Sequence, residues 1–191
     1  SSGVITNGAA PAINLTVTGG TNVTTAAVAT DAKSIAAAVN NAGVSGLTAT
    51  AAVNTLTSTQ TVTTTTAGTA SFVLNGVTIN VDATLNAATN RTNALTAINA
   101  QSGATGIAAA DVGTGLTLTA ADGRNIDVSA ISLGTAVATT IADFGLSTVT
   151  GATAKTSTVS FDFARPAGSA VSGITVGGAG MAGGTGTVAA T

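Results

Sequence analysis

Cysteine, histidine, tryptophan, tyrosine and glutamate are all missing from this 191-residue chain, and only 6% of its residues are charged. Without Cys there is no disulfide framework and no thiolate metal site, and without His the commonest metal ligand and near-neutral acid–base group is gone. Ser and Thr nucleophiles abound, but no His can activate them, and Lys33 and Lys155 lie in no recognisable motif. The chain is therefore not expected to be an enzyme. No residue is nominated as catalytic, cofactor-binding or metal-ligating. Five Lys plus Arg against seven acidic residues leave a formal charge of −2 and no basic patch to gather phosphates, and four Phe cannot build a stacking platform for bases. Nucleic acid is not an expected partner. No run of about 18 apolar residues is present to span a bilayer, and the first residues lack the positive start and apolar core of a signal peptide. The expectation is a non-membrane chain.

What is there is Thr, Ala, Val and Gly. Thr/Val alternation favours strands and Ala-rich runs favour helix. In "FVLNGVTINV" the apolar parity switches across Asn75-Gly76. A two-residue turn with both residues at positive φ explains the switch, placing Leu74 opposite Val77 and Phe72 opposite Ile79 on one face of a hairpin. The next segment, "NRTNALTAINAQSG", predicts a helix over residues 91–101, capped by Thr89 or Asn90, stopped by Gly103, and packing Leu95 and Ile98 on the hairpin.

Residues 115–130, "GLTLTAADGRNIDVSA", bring Asp122, Arg124 and Asp127 close together in a chain nearly devoid of charge. Leu116, Leu118, Ile126 and Val128 share one parity, which requires a connection with an odd number of residues. A loop of Ala121, Asp122 and Gly123 meets this and pairs Leu118 with Ile126 and Leu116 with Val128, with Gly123 in the left-handed region. Asp122 then lies mid-turn and Asp127 faces Thr117 on the solvent side. The charges read as the polar rim of a turn, since paired catalytic carboxylates need a pocket that shifts their pKa.

An internal repeat emerges when the block from Ile13 is set against the block from Phe72. Ile13 and Leu15 match Phe72 and Leu74, and with one gap Val39-Asn40 matches Ile98-Asn99 and Gly46-Leu47 matches Gly106-Ile107. The first copy has its own helix from Asp31 to Asn41, capped by Thr30 or Asp31, with Ile35, Ala38, Val39 and Ala42 buried and Gly43 as the stop. Between the copies, "TSTQTVTTTTAGTAS" reads as strand or as a Ser/Thr-rich linker. Further on, "TSTVSFDFA" alternates with Val159, Phe161 and Phe163 on one side, Arg165-Pro166 ends that strand, and a last short strand over residues 171–176 precedes a flexible Gly-rich exit. The expected fold is α+β and β-rich: two tandem hairpin–helix–meander repeats plus a C-terminal returning strand. The expected domains are 1–66, 67–150 and 151–191, the last packing with the first.

The segments "FVLNGVTINV", "ALTAINAQSGATGIAAA" and "LTLTAADGRNIDV" resemble the IN motif of bacterial flagellins and hook-associated proteins. Ile98-Asn99, Thr105-Gly106-Ile107 and Asp122-Gly123-Arg124-Asn125-Ile126 carry the match in the second copy; the first copy lacks the DGRNI segment. "DFGLST" also looks like the segment that often follows this motif. The resemblance implies a secreted, extracellular structural role in the flagellum and in motility: the variable outer region of a flagellin, whose partners are neighbouring subunits of a helical filament; some flagellins carry O-linked sugars on exposed Ser or Thr, and no single residue is nominated for them. Nothing in the chain resembles the long helical termini of that family.

Other motifs carry less. Asn14-Leu15-Thr16, Asn22-Val23-Thr24 and Asn90-Arg91-Thr92 fit the glycosylation tripeptide, which so Thr-rich a chain produces by chance. The glycines from Gly177 onward have no following Lys for a phosphate loop and no Asp for a calcium array. Two alternatives stand beside the flagellin reading: an outer domain of a hook-associated or filament-cap protein, separated by flanking sequence, and an adhesin or surface-layer fragment binding glycan or calcium. Against the latter stand the lack of Trp and Tyr for sugar stacking and of clustered Asp for calcium.

Overall fold

The computed structural model describes residues 2–5, 12–62, 66–136, 139–178, 181–182 and 186–189, the first and the last two of these segments as backbone only. In chain order the strands are β1 (Ser2–Ile5), β2 (Ala12–Thr18), β3 (Val23–Ala27), β4 (Leu47–Ala51), β5 (Asn54–Thr57), β6 (Gly68–Leu74) and β7 (Val77–Ala83). They continue with β8 (Ala108–Asp111), β9 (Leu116–Ala120), β10 (Ser132–Leu133), β11 (Thr158–Phe163), β12 (Gly173–Gly178), β13 (Met181–Ala182) and β14 (Gly186–Ala189). The helices are α1 (Ala32–Asn41), α2 (Ala87–Ala100) and the single turn α3 (Ser102–Thr105), with 3-10 turns at Ile141–Phe144 and Gly151–Thr153. The fold is mixed α and β, β-rich, and its sheets are small and antiparallel. No described helix is long and apolar enough to cross a membrane.

The chain divides into two compact units. Unit 1 comprises Ser1–Val53, Asp122–Arg124 and Thr156–Thr191; unit 2 comprises Asn54–Ala121 and Asn125–Lys155. The boundary expected between residues 66 and 67 falls inside unit 2, because β5 pairs with β9, Leu56 opposite Leu118. Residues 156–191 count with unit 1, where β11 pairs with β4 from Val159 opposite Ala51 to Phe163 opposite Leu47.

Unit 1 holds two sheets, in the orders β13-β1-β11-β4 and β14-β12-β2-β3. Alternation sorts their faces: Ile13, Leu15 and Val17 of β2 and Val159, Phe161 and Phe163 of β11 are buried, while Asn14, Thr16 and Ser160 face out. α1 begins where the Asp31 carboxylate accepts a hydrogen bond from the Ser34 N–H at 2.9 Å. It lays Ala32, Ile35, Ala36 and Val39 into the same core; Ala38 and Ala42, expected in that stripe, are half-buried. Each fully buried Ile, Leu, Val or Phe contributes roughly 1.5–3 kcal/mol. The exit after residue 176, expected to be flexible, contains strands β13 and β14, and its residues 179–180, 183–185 and 190–191 lie outside the described residues.

Unit 2 also holds two sheets, β10-β6-β7 and β5-β9-β8. The β6–β7 hairpin has the expected register, Leu74 opposite Val77 and Phe72 opposite Ile79. Asn75 at φ 47° and Gly76 at φ 82° form its turn. α2 starts earlier than the sequence suggested, at Ala87, because the Asn86 side chain accepts from the Thr89 N–H at 3.0 Å. Asn90, read as a cap, is instead buried on the helix, accepting from the Thr84 N–H and donating to the Thr84 carbonyl. Gly103 does not stop the helical segment, which runs on through α3 to Gly106 in the left-handed region. Ala94 and Ile98 are fully buried and Leu95 only partly.

The hairpin expected over residues 116–128 does not form. Both edges of β9 are taken, by Leu56 and by Ala109 opposite Leu118. Ile126 bridges Lys155 instead, and Val128 bridges Leu74 and Val149. Leu116, Leu118, Ile126 and Val128 are nevertheless all buried. Parity identified the face and not the neighbour.

Candidate functional site

The Asp122-Gly123-Arg124 tripeptide packs in unit 1. Gly123, at φ 78°, lies so close to the backbone of Ala51 and Ala52 that a Cβ would come within 2.7 Å of the Ala52 carbonyl oxygen. The close approach fixes Asp122 beside α1. One of its oxygens, Oδ2, takes bonds from Lys33 Nζ at 2.8 Å and Arg124 Nη2 at 2.8 Å. Oδ1 accepts from the Arg124 backbone N–H at 3.2 Å. The Arg124 guanidinium, opposed by partial burial and aided by Lys33, holds the Asp122 carboxyl well below the usual carboxylate range. Asp122 in turn raises Arg124, with Asp31 adding attraction.

Asp127 has a different neighbourhood. It belongs to unit 2 and does not face Thr117 as expected: its Oδ2 accepts from the Gly151 N–H at 3.0 Å and from Thr150 Oγ1 at 3.4 Å, holding the start of a 3-10 turn. Its backbone meets Asn75, whose N–H donates to the Asp127 carbonyl at 2.9 Å and whose Oδ1 accepts from the Asp127 N–H at 2.8 Å. Asn75 Nδ2 donates to the carbonyls of Asn125 at 3.0 Å and Thr105 at 3.2 Å. The hairpin turn, the Thr-Gly-Ile segment and the Asn-Ile-Asp segment thus meet on one amide side chain.

A second polar group, unforeseen from sequence, lies in unit 2. Gln60 Nε2 donates to the carbonyls of Ala87 at 2.8 Å and Asp143 at 2.6 Å, and its Oε1 accepts from Arg91 Nη1. Arg91 Nε donates to both oxygens of Asp111, at 3.1 and 3.2 Å. The Gly113 N–H, followed by Arg91, holds Asp111 below its ordinary pKa. No sequence spacing betrays this group, because its members come from a loop, a helix and a strand far apart in the chain.

Two asparagines complete the inventory. Asn40 Nδ2 donates to the Ala49 carbonyl at 2.9 Å and Asn40 Oδ1 accepts from the Ala49 N–H at 2.8 Å. Asn99 Nδ2 donates to the Ala109 carbonyl at 3.1 Å and Asn99 Oδ1 accepts from the Ala109 N–H at 2.8 Å. Among the described residues β4 and β8 are edge strands. Each Asn amide therefore occupies the place of a missing strand neighbour.

Chemically, these carboxylates accept from fixed N–H donors and those with shifted pKa values move down, the opposite of what a general acid near neutral pH requires. Among the described residues no group of three or more metal-ligating side chains comes together. The arrangement is suited to holding turns and sheet edges in place. The chain matches no protein-family model, and no curated protein shows significant similarity to it.

Proposed function

We propose that the chain is a structural, non-catalytic outer module of a bacterial flagellin subunit, built from two nested copies of one fold and shaping the surface and inter-subunit contacts of an extracellular filament. Elements β1, β2, β3, α1, β4, β11 and β12 of unit 1 follow the same order and pairing as β5, β6, β7, α2, β8, β9 and β10 of unit 2. The sheet β1-β11-β4 corresponds to β5-β9-β8, and β12-β2-β3 to β10-β6-β7. The repeat expected as tandem is thus read as nested: the chain of unit 2 enters after β4 and leaves before β11. Unit 2 has at the corresponding place only the tight turn in which the Val112 N–H donates to the Gly115 carbonyl.

The observation that carries the reading is the pair of asparagine clamps. Val39-Asn40 and Ile98-Asn99 are the residues aligned with the IN motif, and in each unit the Asn makes the same two bonds to an Ala in the strand after the helix. Gly46 at φ 82° and Gly106 at φ 72° precede the aligned buried residues Leu47 and Ile107. Residues that identify the motif act as architecture, which supports a role in form over one in catalysis. Sugars on outward Thr side chains are compatible with that role.

The test is removal of residues 54–155 from a full-length subunit carrying this chain. Filaments that assemble normally by electron microscopy are expected. Loss of polymerisation, with the truncated subunit still folded and exported, would overturn the outer-module role.

A further inference from the structure

An Asn followed by Gly is a place where a polypeptide can modify itself, because Gly carries no Cβ to keep its own nitrogen from the carbonyl carbon of the preceding side chain. The chain contains two such pairs, Asn7-Gly8 and Asn75-Gly76. The first lies outside the described residues; the second is the turn of the β6–β7 hairpin. The reaction needs neither enzyme nor oxidant. The Gly76 nitrogen gives up its proton and bonds to Asn75 Cγ, the side-chain nitrogen leaves as ammonia, and water then opens the cyclic imide. Opening at the side-chain carbonyl gives Asp. Opening at the main-chain carbonyl gives isoaspartate, whose backbone runs through Cγ and is longer by a methylene.

Native Asn75 is held out of this reaction. Cγ reaches the Gly76 nitrogen only if the side chain swings over the following peptide, and three bonds oppose the swing. Oδ1 accepts from the Asp127 N–H at 2.8 Å, and Nδ2 donates to the carbonyls of Asn125 at 3.0 Å and Thr105 at 3.2 Å. The main chain is fixed as well, by the Asn75 N–H on the Asp127 carbonyl at 2.9 Å and by Leu74 opposite Val77. The nitrogen that must leave is thus the one gripped by two carbonyls. The same grip rejects the product: a carboxylate donates nothing, and in place of Nδ2 its oxygen meets two carbonyl oxygens that have lost their donor. In isoaspartate the added methylene lengthens a two-residue turn, so Leu74 and Val77 no longer keep their register.

We infer that Asn75 is a latent self-modification site, closed while its amide bonds the Thr105, Asn125 and Asp127 backbone, open when unit 2 unfolds, and once converted a barrier to the refolding of that unit. Conversion is then a permanent mark of an opening event. The residues that close the site, Thr105, Asn125 and Asp127, all belong to unit 2 with Asn75 itself. The inference rests on the geometry of this turn and does not depend on the flagellin assignment.

The full chain is incubated at one mildly alkaline pH and one temperature, in buffer and in guanidinium chloride, and conversion at Asn75 and Asn7 is followed by peptide mapping with mass spectrometry. In denaturant both pairs are expected to convert, Asn7 showing that the chemistry proceeds. In buffer Asn75 is expected to convert at least about tenfold more slowly than in denaturant, since a reaction that requires opening runs at the unfolded rate multiplied by the open fraction. Chains taken from denaturant are then separated, returned to buffer and compared by hydrogen exchange. Those converted at Asn75 should fail to regain protection along β6 and β7, whereas those unmodified or converted only at Asn7 should regain it. No conversion of Asn75 in denaturant, equal rates at Asn75 with and without denaturant, or full protection of β6 and β7 in chains converted at Asn75 would each overturn the proposal.

Discussion

Replacing Asn40 or Asn99 by Ala asks whether each sheet edge depends on its amide clamp. Each substitution removes two hydrogen bonds and leaves the N–H and C=O of one Ala to find water. A net hydrogen bond is worth about 0.5–1.5 kcal/mol, and a backbone group left unpaired away from water costs more. Ala49 is 4% exposed, so water reaches its backbone poorly, whereas the Asn99 bonds to Ala109 are solvent-accessible. The expected losses are therefore about 1–3 kcal/mol for Asn40→Ala and about 0.5–1 kcal/mol for Asn99→Ala. At about 4–8 °C per kcal/mol for domains of this size, the corresponding transitions fall by about 4–24 °C and about 2–8 °C. Differential scanning calorimetry with hydrogen exchange assigns each transition to a unit: Asn40→Ala lowers unit 1 and Asn99→Ala lowers unit 2. Equal shifts of one common transition, or Asn40→Ala unchanged within experimental error, would refute the edge-clamp argument.

Excising Asn54–Lys155 and joining Val53 to Thr156 turns β4 and β11 into a hairpin closed by Val53, Thr156 and Ser157, since the Ala52 N–H already donates to the Thr158 carbonyl at 2.9 Å. The shortened chain, which also loses the Asp122–Arg124 part of unit 1, is expected to fold with native β4–β11 cross-strand contacts by NMR, and their absence would show that the rest of unit 1 depends on the excised residues. Asp122 is held ionised in the folded state, so its contribution is present above its unfolded pKa of about 3.9 and is lost as pH falls through the lower folded value. Carboxyl NMR of Asp122 should show a midpoint below that of a free Asp; being partly exposed, the ion pairs contribute only about 0.2–1 kcal/mol, which Asp122→Asn measures. A Cβ on Gly115 would come within 1.9 Å of the Ser58 carbonyl oxygen, so Gly115→Ala is expected to destabilise unit 2 by about 1–3 kcal/mol or more in urea. Gly103→Ala, where a Cβ meets open space, serves as its harmless control.

Local signals in the sequence reached as far as local physics reaches. The Asn75-Gly76 turn and its hairpin register were legible because a parity switch and a positive-φ pair constrain each other within ten residues. The strand around Phe161 and the Asp31 cap were legible for similar reasons. The partner of β9 was not, because pairing Leu56 with Leu118 is a long-range choice that periodicity leaves open. Asn86 was missed as the cap of α2 because Thr89 and Asn90 offered equally good chemistry three and four residues later. At the candidate site, the sequence placed Asp122 in the middle of a turn but did not pair it with Arg124, and Lys33 was hidden by distance along the chain. Asn40 and Asn99 were visible as aligned letters, yet their bonds to Ala49 and Ala109 needed coordinates.

The junction at Ala52 and Thr158 has a mechanical consequence. Tension applied through the two ends of the chain reaches β4 at Leu47 and β11 at Phe163, which pair with each other at one end of the ladder. The pair must open one rung at a time, from Leu47/Phe163 toward Ala51/Val159, before any load passes to Asn54 or Lys155. Drag and shear on such a chain would be borne first by the rungs of the β4–β11 ladder, and only after they part by the chain that links Ala51 to Thr158.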